Sequence, residues 1–144
     1  MYKVIKDILE VFQSKHLKVF FKEDEADNYV YLYFELSNGG PYQIRFISTD
    51  DKNDVAVRVF RLIRVEPAQR EKVILLLNDL NNQYRYAKFC CDSKCCINVE
   101  YDYPLCGNDP AQSAEEILFR FVSIIDEAYS SIMKCVWDSD ANLK

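Results

Sequence analysis

The residues best able to do chemistry are the cysteines, because four of the six lie between positions 90 and 96. Cys90 and Cys91 precede Asp92–Lys94, and Cys95 and Cys96 follow it, which is typical of a hairpin with two thiols on each strand. Thiols at this density could bind zinc or form a redox pair. Successive strand residues point to opposite faces, so pairing Cys91 with Cys95 and Cys90 with Cys96 leaves two sulfurs on each face. A structural zinc site needs four ligands.

Three interpretations of these cysteines remain open. They are small, buried or half-buried thiols in a reducing compartment, or Cys90 and Cys96 form a redox pair, or a distorted hairpin gathers all four around a metal. The first interpretation is favoured, and we expect no metal and no cofactor. Cys106 and Cys135 lie apart from the hairpin and indicate no chemistry of their own.

Conventional catalytic groups are scarce in this chain. His16 is the only histidine, so any Ser–His or Cys–His mechanism would depend on it. It lies where the first helix should end, which favours a helix-capping role. The three glycines form no phosphate-binding loop, and the adjacent carboxylates Asp50 and Asp51 fall in a loop that should be solvated. We therefore expect no enzymatic activity.

A second candidate site consists of tyrosines and arginines on predicted strands. Residues 29–36 alternate between aliphatic or Phe side chains and mainly tyrosines. If the apolar side packs beneath helices, the tyrosines lie on the opposite face, where residues of the next two strands join them. Tyr and Arg are favoured at protein interfaces, so this face could bind a partner polypeptide, unless another element covers it. An open strand edge of the sheet is the alternative docking site. The predicted partner-binding residues are Tyr29, Tyr31, Tyr33, Arg45, Ile47, Arg58 and Phe60.

Hydrophobic periodicity predicts the elements that position these residues. Helices are predicted at 2–15 and 66–83, and a long final helix is capped by Ser113 with Glu116 three positions later. The order α-ββββ-α-ββ-α indicates an α+β fold with an antiparallel sheet, not a doubly wound nucleotide-binding fold. Strands are predicted at 17–23, 29–36, 42–48, 55–65, 85–91 and 95–103.

Two asparagines in the middle helix are not explained by helix propensity. Asn78 and Asn81 lie three positions apart and are therefore neighbours on the helix surface. Either the last turn of this helix is solvated, or one asparagine caps backbone groups of a neighbouring strand.

Length and charge limit the function further. A chain of 144 residues suits one domain, predicted at 1–137 with a loose tail at 138–144. The net charge of −5, without a Lys/Arg cluster, argues against nucleic-acid partners and against an anionic membrane surface. No apolar run reaches the roughly 20 residues that span a bilayer, and the first residues do not resemble a signal peptide. These features predict a cytoplasmic protein with reduced thiols.

Several segments together carry a resemblance to a known family. They are the alternating residues 29–36 and 42–48 joined by a Gly turn, the run Leu76–Asn81, Phe89, and Tyr103-Pro104-Leu105 before the last helix. This pattern resembles the YbjN-type bacterial sensory-transduction regulators, which share the fold of type III secretion chaperones. The resemblance implies a non-catalytic, chaperone-like or regulatory protein-binding module, often a homodimer. The cysteine hairpin is not part of the pattern, so the resemblance implies nothing about the thiols.

Overall fold

The computed structural model describes residues 1–25, 28–49, 54–105 and 109–141 of the chain. Within these ranges the predicted α+β order, α-ββββ-α-ββ-α, is confirmed. The pair Asp50 and Asp51 and also Cys106 lie outside the described residues. The elements are α1 (Lys3–Ser14), β1 (Val19–Glu23), β2 (Asn28–Leu36), β3 (Gly39–Ile47), β4 (Asp54–Arg64), α2 (Arg70–Gln83) preceded by a 3-10 turn (Pro67–Gln69), β5 (Lys88–Cys91), β6 (Cys96–Pro104) and α3 (Pro110–Ala141).

The six strands form one antiparallel sheet in the order β1-β2-β3-β4-β6-β5. The three helices pack against one face of this sheet, because α1, α2 and α3 each have an apolar side that must be buried. Phe12 of α1 meets Phe46 of β3 edge to face, with ring centroids 5.3 Å apart. None of the described helices has the combination of length and apolar character needed to cross a membrane.

The end of α1 confirms the predicted position of the only histidine. His16 has a left-handed backbone conformation with φ of 60°. Its N–H bonds to the carbonyl of Gln13, and the N–H of Leu17 bonds to that of Phe12, which is a Schellman-type ending. His16 is therefore an exposed helix-terminal residue, placed by backbone hydrogen bonds.

The start of α3 corrects the predicted capping box of Ser113 and Glu116. The helix begins one turn earlier, at Pro110. The Asp109 carboxylate accepts the N–H groups of Ala111 at 3.0 Å and Gln112 at 3.2 Å. Asp109 thus caps the helix, and Pro110 suits the first helical position because its missing N–H needs no partner there.

A bulge in β4 changes the direction of two side chains. Val59 pairs with Val99 and Ile63 pairs with Ile97, so residues 60–62 face a single residue, Asn98. Arg61 has φ of 56°, and its N–H donates to the Asn98 side-chain oxygen at 2.8 Å. Both Phe60 and Arg61 are consequently exposed, whereas strict alternation would have exposed one of them.

Candidate partner-binding surface

The sheet face opposite the helices, here called the open face, contains the predicted partner-binding residues. Tyr31 pairs with Arg45, and Tyr29 pairs with Ile47. Arg45 also pairs with Arg58 on β4. Because paired residues of neighbouring strands point to the same side of a sheet, the register gathers these side chains.

Exposure varies strongly across the open face. Tyr33 and Phe60 are 55% and 46% exposed, whereas Tyr29 is only 7% exposed. Tyr31, Arg45, Ile47 and Arg58 are half-buried. The surface offered to a ligand is therefore centred on Tyr33 and Phe60. Tyr29 is covered by its neighbours and serves mainly as packing.

An aromatic row crosses the open face at the β1–β2 edge. The Tyr31 ring lies 5.8 Å from Tyr29 and 5.9 Å from Tyr33, centroid to centroid. Phe20 of β1 stacks on Tyr31 at 5.4 Å. Sequence reasoning missed Phe20, although β1 pairs Phe20 directly with Tyr31 and strand alternation within residues 17–23 could have placed it. Paired aromatic rings of this kind form a rigid apolar surface.

Arg45 occupies the centre of the open face. Its guanidinium carbon lies 4.8 Å from the Tyr29 ring centroid and 5.4 Å from that of Phe60. The Arg45 Nε donates to the side-chain oxygen of Gln43, whose nitrogen donates to the Tyr33 hydroxyl at 3.2 Å. In the part of the chain that the structure describes, no carboxylate forms a salt bridge with Arg45. Arg45 is thus held in place while its charge stays available.

Arg58 differs from Arg45, because its charge is compensated within the subunit. Its guanidinium lies 2.7 Å from the Asp102 carboxylate and 3.7 Å from that of Glu100, both on β6. It also donates to the carbonyl oxygens of Val57 and Tyr101. Arg58 therefore joins β4 to β6, and it adds little positive charge for a ligand.

The predicted pairing within the cysteine hairpin is wrong. Cys90 lies opposite Asn98, and Cys91 lies opposite Ile97. The turn consists of residues 93–95, because Cys95 takes a left-handed conformation with φ of 62° and Asp92 pairs with Cys96 through their backbones. Cys90 and Cys96 thus share a face without facing each other directly.

Two thiols of this hairpin, Cys90 and Cys91, have a pKa raised by their surroundings, which disfavours the reactive thiolate form. Burial raises the pKa of the Cys90 thiol, and the neighbouring Glu100 carboxylate raises it further. Burial also raises the pKa of Cys91, although Arg70 partly opposes this. Protonated thiols are weak nucleophiles and weak metal ligands. The four cysteines of the hairpin form no disulfide, and no group of three His, Cys, Asp or Glu among the described residues could hold a metal ion.

Comparison with known proteins identifies one family. The model of the family YbjN, described as "putative bacterial sensory transduction regulator", matches residues 5–133. The matched range extends from α1 well into α3, so it includes every strand of the sheet. No curated protein is significantly similar to the chain.

Proposed function

Since this chain belongs to the YbjN family, we propose that it is a non-catalytic, cytoplasmic regulatory module that binds partner polypeptides. The open face is the proposed binding surface, used in a chaperone-like or regulatory manner. One observation carries the proposal: all three helices pack on the other side of the sheet, and Tyr33 and Phe60 remain about half exposed. Membership of the YbjN family supports a regulatory role in general. The open face is the surface that we propose for binding the partner polypeptide.

The composition of the open face favours protein binding on physical grounds. Exposed aromatic rings such as Tyr33 and Phe60 bury a large apolar area while losing little side-chain entropy. Arg45 is held between two rings, so little further order is lost when it contacts a ligand. Aromatic and Arg side chains of this type are those that contribute most binding energy at interfaces.

We expect Tyr33→Ala combined with Arg45→Glu to reduce partner capture at least about tenfold, because it removes an aromatic anchor and reverses the central charge. The measurement is a quantitative pull-down from the native cytoplasm, with each captured protein compared between variant and wild type. The control is Leu75→Ala with Lys72→Glu, which makes the same change of charge and removes an apolar side chain 70% exposed on α2. If the open-face variant retains every partner at the wild-type level, this surface is not the binding site.

We also propose that the protein forms a homodimer through β1. This strand lies at the edge of the sheet and presents Phe21, which is 54% exposed. An exposed edge has backbone groups that can pair with a second copy.

Sedimentation should therefore give twice the 16.9 kDa mass of one chain. Phe21→Lys should yield the monomer, because a charge at the edge opposes strand pairing. Phe119→Lys, at a residue 56% exposed on α3, is the matched control and should remain dimeric. A wild-type mass of one chain at high concentration would contradict the dimer.

A further inference from the structure

A groove of about 500 Å³ adjoins the open face where β3, β4 and β6 meet the turn between β5 and β6. Three cationic side chains line it: Arg45, Arg61 of the β4 bulge, and Lys94 of the turn. Exposed Phe60 also lines it. This basic groove contrasts with the net charge of −5 of the whole chain.

The one carboxylate that lines the basic groove, that of Asp92, accepts hydrogen bonds from within the subunit. Asp92 accepts hydrogen bonds from the N–H groups of Lys94 at 2.9 Å and Cys96 at 3.0 Å, and from the Asn98 side chain at 3.0 Å. These bonds hold the pKa of the Asp92 carboxyl below its ordinary value, and the Cys96 N–H contributes most. Asp92 is therefore ionised at neutral pH and shapes the turn, while three cations remain around it.

The walls of the basic groove are fixed by hydrogen bonds. Asn98 accepts the N–H of Arg61 through its oxygen and donates to Asp92 through its nitrogen, so it joins the β4 bulge to the turn. Arg45 is held by Gln43 on the other side. Within the described residues, none of the three cations forms a salt bridge with a carboxylate. A ligand with negative charge would thus meet three cations on walls held by hydrogen bonds, with Arg45 and Arg61 free of carboxylate partners among the described residues and Lys94 near the single carboxylate of Asp92.

We propose that the basic groove binds an acidic segment of a partner polypeptide, with Asp or Glu carboxylates next to an apolar side chain. This inference rests on the proposed function, because it specifies the chemistry of the partner at one end of the open face. Guanidinium groups suit carboxylates, which they bind through two parallel hydrogen bonds.

The groove and the tyrosines form one continuous surface, which favours a polypeptide over a small free anion. Gln43 bonds to both Arg45 in the groove and Tyr33 beside it. A carboxylate in the groove therefore has aromatic surface within reach of its neighbouring residues in a chain. A small anion would leave Phe60 and Tyr33 as exposed as they are now.

The test measures binding of the full-length protein to an array of random peptides of about 12 residues, long enough to cross the sheet when extended. Bound peptides should be enriched in Asp and Glu next to apolar residues. Replacing each Asp and Glu by Asn and Gln should weaken binding at least about tenfold, and raising NaCl from about 0.05 to about 0.5 M should weaken it further.

Two variants test whether the preference for acidic peptides depends on the basic groove. Arg61→Gln and, separately, Lys94→Glu should each remove most of the preference for acidic peptides, since both exposed side chains line the groove. Lys72→Glu on α2, an exposed residue outside the groove, should retain it. An equal loss in Lys72→Glu would indicate a general charge effect and overturn the proposal.

The remaining outcomes separate this inference from the proposed function. Peptides that bind the open face without a preference for acidic residues would overturn the basic groove as an acid-binding site and leave the proposed function intact. Absence of binding to any peptide would count against both. Stronger binding to single-stranded oligothymidylate than to acidic peptides would also overturn the inference, because the groove would then select a nucleic acid.

Discussion

Phe12→Ala is expected to lower the free energy of unfolding by about 3–5 kcal/mol. Phe12 is completely buried between α1 and the sheet, and its ring meets that of Phe46 edge to face. Truncation removes these contacts and leaves a cavity that the surrounding core can only partly fill. Urea unfolding followed by circular dichroism measures the change, with an unaltered slope as evidence of the same unfolding transition.

The same substitution at Phe119 is the matched control. Phe119 is 56% exposed on α3, so Phe119→Ala should cost about 1 kcal/mol or less. Comparable losses at the two positions would contradict the arrangement in which the helices seal one face of the sheet.

This asymmetry between the two faces makes the binding experiments interpretable. The core lies between the helices and one side of the sheet, and it contains Phe46 and Val57. Tyr33, on the other side, is 55% exposed, so its removal leaves the core unchanged. A loss of binding in a variant at Tyr33 would therefore reflect the surface itself and not a failure to fold.

The two-faced sheet could be predicted from the sequence because alternation in residues 29–36 is strict. A slip of one residue would expose Val30 and Leu32 and bury the neighbouring tyrosines, so the hydrophobic pattern specifies the face. The pairing of Tyr31 with Arg45 does not follow from the turn alone, because the register of β2 and β3 shifts by one residue between that turn and Tyr31. The elements and the open face are thus encoded locally.

The features that the sequence could not reveal depend on contacts between distant segments or on unusual backbone conformations. The compensation of Arg58 by Asp102 requires the pairing of β4 with β6, which are separated by α2 and β5. The hairpin register depends on Cys95 at a left-handed position, where glycine would have been the recognisable signal. Arg61 in the β4 bulge is a similar case, because its left-handed backbone conformation accompanies the exposure of its side chain at the basic groove.

Asn81 shows how a residue left open by sequence reasoning is decided by structure. Of the two interpretations, capping of a neighbouring strand is confirmed. The N–H of Phe89 donates to the Asn81 side-chain oxygen at 2.7 Å, and the Asn81 side-chain nitrogen donates to the carbonyl of Phe89 at 2.9 Å. Because β5 is an edge strand, no further strand pairs with it on this side. Asn81 supplies the two backbone hydrogen bonds that such a strand would make at Phe89.

Asn81→Ala is therefore expected to lower the free energy of unfolding by about 2–3 kcal/mol, since it removes two hydrogen bonds and leaves two part-buried backbone groups without partners. Hydrogen exchange at the Phe89 amide should accelerate more than exchange elsewhere in the sheet. Equilibrium urea unfolding gives the first quantity, and NMR exchange gives the second.

Asn78→Ala and Asn82→Ala provide matched controls on the same helix, because both side chains are exposed. They should change stability by no more than about 0.5 kcal/mol, and in the stabilising direction, since Ala is the better helix former. If Asn81→Ala proves equally harmless, the asparagine is not what secures β5.

Loosening of β5 should also affect binding, because β5 leads into the turn that forms one wall of the basic groove. An Asn81 variant that loosens this strand should therefore weaken acidic-peptide binding, although Asn81 itself does not line the groove.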